Sequence, residues 1–146
     1  MSFATAETPS SHLMLSSRLV SELANARSTL RTTTERNGPS VIVFAGGEVD
    51  ASNEATWRHL LTEAAGRTSP PGALVVDTSG LDFMACCAYE VLAEEAERCR
   101  RRGVELRLVS NQPGVGRVVN ACGLSELLPL DASLDAALPA GEPVDW

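Results

Sequence analysis

The stretch Leu74-Val75-Val76-Asp77-Thr78-Ser79-Gly80-Leu81-Asp82-Phe83-Met84-Ala85-Cys86-Cys87-Ala88-Tyr89-Glu90 changes its hydrophobic rhythm part-way, and that change decides the fold. Leu74, Val75 and Val76 form a continuous apolar run closed by Asp77, the pattern of a short strand buried on both faces. From about Cys86 to Arg102 the rhythm becomes helical, with Ala88, Val91, Leu92, Ala96 and Cys99 on one side. The other side pairs Glu94 with Arg98 and Glu97 with Arg101, both in the favourable acid-first order. Gly103 ends this helix where a left-handed residue is wanted. A buried strand feeding a helix is the repeating unit of a parallel sheet.

Working upstream, Leu30 to Arg36 is a Thr-rich alternating strand, and Asn37-Gly38 is a hairpin turn leading into Val41, Ile42, Val43 and Phe44. Gly46-Gly47 is expected to end the second strand. Ser52 or Asn53 then caps a first helix carrying Trp57, Leu60, Leu61 and Ala64, which Gly66 and Pro70-Pro71 stop. Downstream, Val104, Leu106, Leu108 and Val109 make the next strand, and Asn111 with Pro113 opens a third helix bearing Val115, Val118 and Val119. Gly123 ends that helix, Leu127-Leu128 suggests a last short strand, and Ser133 caps a final turn through Leu134 and Leu138. The resulting order is β-β-α-β-α-β-α-β-α. With right-handed crossovers it predicts a mixed, mostly parallel sheet of four or five strands with flanking helices.

These elements fill residues 28–138, one domain's worth of the 146-residue chain. Residues 1–27 read as a tail whose patch at Leu15, Leu19, Val20 and Leu23 suits a short helix, loosely attached unless that face finds a groove. Residues 139–146 read as a C-terminal tail. A net charge of −7 opposes nucleic-acid binding, because affinity for phosphate backbones comes from clustered cations. The single basic run, Arg100 to Arg102, closes a helical pattern between Glu97 and Glu105 and suits a helix C-terminus. No apolar stretch approaches membrane-spanning length and no signal peptide is evident, so a cytoplasmic protein without membrane contact is expected. All twelve basic residues are Arg, a hint of a GC-rich bacterial genome.

The catalytic inventory is thin. His12 and His59 sit near no motif, no nucleophile elbow or Walker loop occurs, and Gly114-Val115-Gly116 follows Pro113 too deep in the chain for a dinucleotide fingerprint. Cysteines 86, 87, 99 and 122 include no C-x-x-C pair, so no metal site and no cofactor are expected. Glu48 and Asp50 stand apart, because they follow Gly46-Gly47 at the end of a strand, where partner sites gather. A turn that caps the first helix through Asp50 or Ser52 explains them equally well.

Gly47-Glu48-Val49-Asp50, Trp57 to Leu61, and Val75 to Met84, in that order, resemble the STAS domain of bacterial anti-sigma-factor antagonists. The similarity continues through Glu105 to Val109, Arg117-Val118-Val119 and Cys122 to Leu130, covering roughly residues 28–138. The resemblance implies a mixed sheet flanked by helices and a protein that works by partner switching. Such an antagonist binds an anti-sigma factor of the serine kinase type, which frees a sigma factor, and the kinase disables it by phosphorylating a Ser or Thr. The family's motif there reads Asp-Ser-Ser/Thr-Gly-Leu, whereas this chain has Ala85, Cys86, Cys87, Ala88 and Tyr89.

By that resemblance Cys87 stands at the lost phosphoacceptor position, and the usual phosphorylation switch should be absent. Thr78 and Ser79, expected in the strand-to-helix connection, are the conceivable secondary acceptors. The implied partner-binding surface comprises Gly47, Glu48, Asp50, Phe83, Met84, Ala85, Cys86, Cys87, Tyr89 and Glu90. Tyr89 is expected there as an exposed aromatic anchor, with core packing as the alternative, and Glu90 as an acid in the first helical turn. No catalytic residue is assigned. A thiol-based redox sensor or thiol enzyme using Cys86 or Cys87, with Cys122 as a possible disulfide partner, is the competing reading, because helix N-termini favour thiolates. A scaffold role in a signalling assembly is the third. The partner's identity, the stimulus and the oligomeric state are not encoded in any recognisable residue pattern.

Overall fold

The computed structural model describes residues 10–12, 15–23 and 29–138. Much of the expected N-terminal tail, and the C-terminal tail 139–146, lie outside the described residues. In chain order the elements are β1 (Ser10–His12), α1 (Ser17–Leu23), β2 (Arg31–Asn37), β3 (Ser40–Val49), α2 (Glu54–Gly66), β4 (Ala73–Met84) and α3 (Cys86–Arg101). They continue with β5 (Glu105–Val109), α4 (Pro113–Ala121), β6 (Leu130–Asp131) and α5 (Leu134–Ala137). The sheet runs β1-β2-β3-β4-β5-β6 in sequence order. β1 to β3 pair antiparallel and β3 to β6 pair parallel, so the expected mixed, mostly parallel α/β sheet forms, with β1 added at one edge.

Strand pleating explains how the two faces divide. Val41, Val43 and Ala45 of β3, Leu74 and Val76 of β4, and Leu106 and Leu108 of β5 turn toward the helices and join Trp57, Leu60, Leu92 and Val119 in the main core. The alternate positions Ile42, Val75 and Val109 form a smaller cluster on the opposite face, covered by Ala137 with Leu134 and Leu138. Both faces of the central strands are therefore dry, as the unbroken apolar run at Leu74 to Val76 requires.

The amphipathic patch near the N-terminus folds as α1. Leu19 is fully buried in the main core, Leu15 and Leu23 pack against it, and Val20 faces solvent. Burying one leucine of this kind contributes about 1.5–3 kcal/mol. Polar contacts to α2 complete the dock: the Ser16 amide donates to Glu63 Oε1 at 3.1 Å, and His59 lies between Glu22 and Glu63.

Three boundaries differ from the sequence reading. β3 continues through Gly46-Gly47 to Val49, carrying register shifts against β4. β4 extends to Met84 and so includes Thr78 and Ser79, which were expected in the connection to the next helix. The final strand lies at Leu130–Asp131, because Leu128 is needed in the core, where it is fully buried.

Candidate functional site

The candidate site is built at the end of the sheet where β4 outruns its neighbour. β5 finishes at Val109, opposite Asp77, whereas β4 continues for seven residues to Met84. One edge of this extension is held by the bulged end of β3. Gly47 has φ +91°, and a Cβ there would lie 2.0 Å from the Thr29 carbonyl oxygen, so only glycine allows the bend. Beyond the bend, Glu48 stands opposite Phe83 and Val49 opposite Met84, and the Ala85 amide donates to the Val49 carbonyl at 2.9 Å.

The turn after β3 is tightly closed. Asp50 accepts hydrogen bonds from the Ser52 hydroxyl and amide, which hold its carboxyl below the usual range. Asn53 accepts from the Asp50 amide at 2.9 Å and donates to the Glu48 carbonyl at 3.0 Å. Asp50 is thus a capping residue in this structure, and Glu48 beside it is exposed.

α3 starts without a side-chain cap, since its N-cap is Ala85, and its first turn holds no acidic residue. Glu90, expected in that turn, is the fifth helical residue and is exposed. Cys86 is exposed, Cys87 half-buried and Ala88 fully buried. The Trp57 indole N–H of α2 donates to the Ala88 carbonyl at 3.2 Å and fixes the start of α3 against α2. Burial pushes the Cys87 thiol up, and Glu54 and Glu90 add to the effect. The backbone N–H groups of Cys87 and Ala88 at the helix start pull the thiol the other way, and burial outweighs them. Cys99 is buried among α3 contacts and pushed up to about 11 by burial.

Of the two aromatics expected on this surface, only Phe83 is exposed, and Tyr89 takes the alternative core position. Tyr89 is 4% exposed and belongs to the core, because the helical spacing from Ala88 through Val91 and Leu92 turns it inward. Burial raises its phenol, with Cys86 and Cys122 within electrostatic reach adding to the shift. Phe83 is 53% exposed instead, at the tip of the β4 extension. Exposed Glu48 stands opposite it across the β3–β4 pair, and exposed Asp82 precedes it in the strand. Arg58 of α2 is engaged by Glu54 and Glu94.

A cleft of about 210 Å³ opens between this tip and α4, lined by Phe83, Met84, Tyr89, Gln112, Val115 and Val118 among others. Gln112 was not singled out by the sequence; its side chain bonds the β4 extension, a contact that no local pattern announces. Thr78 is 1% exposed and donates to the Val109 carbonyl at 3.0 Å, so its hydroxyl is already used, whereas Ser79 is half-buried. Among the described residues no group of three or more His, Cys, Asp or Glu is placed to hold a metal ion. No helix among them is long and apolar enough to cross a membrane.

The STAS domain family model matches residues 31–137. A Mycobacterium tuberculosis protein provisionally named anti-anti-sigma factor Rv2638 is 52% identical over 141 residues, covering 97% of this chain and 95% of that protein. The anti-sigma-F factor antagonist RsfA of the same organism is 51% identical over 111 residues, 76% of this chain and 87% of its own. Among solved structures, an anti-sigma factor antagonist from Mycobacterium paratuberculosis superposes with a TM-score of 0.67 at 26% identity. It covers 79% of this chain and 95% of that one.

Proposed function

Because this chain belongs to the STAS domain family, we propose that it works in the cytoplasm by docking an anti-sigma factor and so freeing a sigma factor. The observation that carries the reading is Phe83, a large apolar side chain 53% exposed at the tip of a strand paired with β3, with exposed Glu48 opposite it and Asp82 beside it in sequence. Exposed aromatics on ordered backbone anchor protein interfaces, because little conformational entropy is lost when they are buried by a partner. These two carboxylates favour a partner with a basic border beside an apolar pocket. Relatives of about half-identical sequence named as anti-sigma factor antagonists support the same assignment.

The partner is proposed to be an anti-sigma factor of the serine kinase type, with Glu48, Phe83, Met84, Ala85, Cys86 and Cys87 in its footprint. Gly47 and Asp50 shape the surface from beneath, Glu90 borders it, and Tyr89 supports it from the core. The thiol of Cys87, at the position where the family carries its phosphoacceptor, leaves the kinase without its usual hydroxyl. The protein then stays in the binding-competent form whether or not ATP is present. Binding rather than catalysis is the proposed mode of action: burial raises the Cys87 thiol, which disfavours the thiolate that nucleophilic chemistry would use.

The thiols carry a second layer of this reading. Cys86 and Cys122 are both exposed, and both reach Tyr89 electrostatically, from the start of α3 and the end of α4. A hydroperoxide would convert the two thiols to a disulfide, with water and an alcohol as products. Such a bridge would pull the docking face toward α4 and lower affinity for the partner.

The test is sigma release. The anti-sigma-F factor of the M. tuberculosis relative, purified in complex with its sigma factor, is the probe. Addition of this chain should displace the sigma factor stoichiometrically with or without ATP. An intact complex after addition of excess chain would refute the proposal.

A further inference from the structure

We infer that Gln112 is a positioning residue for docking: its side chain stands in for the missing strand beside the β4 extension and holds Phe83 in place. The inference rests on the docking reading above. β4 loses its β5 neighbour after Asp77, so carbonyls beyond that point on this edge have no strand to receive hydrogen bonds. Gln112 Nε2 donates to two of them, Ser79 O at 3.2 Å and Leu81 O at 2.9 Å. One primary amide has two N–H groups, and here they serve two successive outward carbonyls of one strand.

Its position makes the arrangement specific. Gln112 is the N-cap of α4, where a short polar side chain ordinarily turns back onto its own helix, yet it makes no capping bond. Pro113 in the first turn supplies the helix start without it. The Gln112 amide is tied to Ser110 Oγ at 3.0 Å, which fixes the backbone from which the side chain reaches. The opposite edge of the extension is held by β3 through the pairs Glu48–Phe83 and Val49–Met84. The strand that carries Phe83 is therefore held by β3 on one edge and, two residues before Phe83, by a single side chain on the other. Removing the side chain frees one edge of the tip while leaving the main core, to which Gln112 does not belong, intact.

The full chain and its Gln112→Ala, Gln112→Glu, Phe83→Ala and double Gln112→Ala/Phe83→Ala variants decide the matter. Two readouts are needed: amide hydrogen exchange over residues 79–85, and affinity for the anti-sigma-F factor used above. Gln112→Ala should speed exchange across this segment and weaken binding about tenfold, with exchange of β3 to β5 core amides unchanged. Gln112→Glu keeps size but presents a carboxylate to two carbonyls, so it should be at least as damaging as alanine. A side chain that merely filled space would tolerate it. In the double variant the two binding losses should fail to add, because Gln112 acts through Phe83. Unchanged exchange in Gln112→Ala, or additive losses, would overturn the inference. Failure of the unaltered chain to bind would overturn the docking reading, and hydrogen exchange would still report separately on whether Gln112 holds the tip.

Discussion

The Trp57 indole N–H donates to the Ala88 carbonyl across 3.2 Å of fully buried space, joining α2 to the third residue of α3. The helix that presents the docking face is thus referenced to the core through one side chain. Where the family's motif has glycine, Ala88 is accommodated because its methyl packs into the main core with no exposure.

Trp57→Phe should therefore cost about 2 kcal/mol, since it removes a buried hydrogen bond and leaves part of the indole volume unfilled. Urea unfolding checks this through the midpoint at unchanged slope. A shift worth less than about 0.5 kcal/mol, within the range of neutral surface changes, would show that the bond does not secure α3.

Phosphate chemistry offers a sharper test of the switch position. Incubation of the unaltered chain with a kinase-type anti-sigma factor, ATP and magnesium should leave Cys87 unlabelled, and Thr78 unlabelled as well because it is 1% exposed. Cys87→Ser restores a hydroxyl at the same place and should accept phosphate. Label mapping to Ser79 in the unaltered chain would show that kinase control survives by another route.

Thiol reactivity separates the four cysteines. Iodoacetamide at neutral pH should modify the exposed Cys86 and Cys122 first and Cys87 slowly, since burial and Glu54 raise its thiol. Cys99, buried and pushed up to about 11, should react only on unfolding. With hydroperoxide added, partner affinity should fall and recover with reductant, and Cys122→Ser should abolish the effect. Equal affinities in the oxidised and reduced samples would leave these cysteines as ordinary surface and packing residues.

Much of this architecture is legible in the residues themselves. The unbroken run Leu74 to Val76 announces a strand buried on both faces, and the spacing of Ala88, Val91, Leu92 and Ala96 announces α3, because both patterns depend on local periodicity. The extension of β3 through Gly46-Gly47 is not legible, since the glycines that usually end a strand here serve a bulge whose need arises from the Thr29 carbonyl. The site splits along the same line. The strand-end residues Glu48 and Phe83 follow from the family resemblance, and the burial of Tyr89 is legible in the helical spacing of Ala88, Val91 and Leu92 that places it on the inner face. Gln112 acts across more than thirty residues of sequence, so no local pattern exposes it.

The central claim is that an exposed Phe83 anchors an anti-sigma factor, and calorimetric titration of the unaltered chain and Phe83→Ala tests it most directly. Phe83 lies at the tip of β4 outside the main core, so its removal should change stability by less than about 0.5 kcal/mol. Loss of an interface anchor typically costs 2 kcal/mol or more, so affinity for the anti-sigma-F factor should drop at least about thirtyfold. Equal affinity of Phe83→Ala and the unaltered chain would contradict the account.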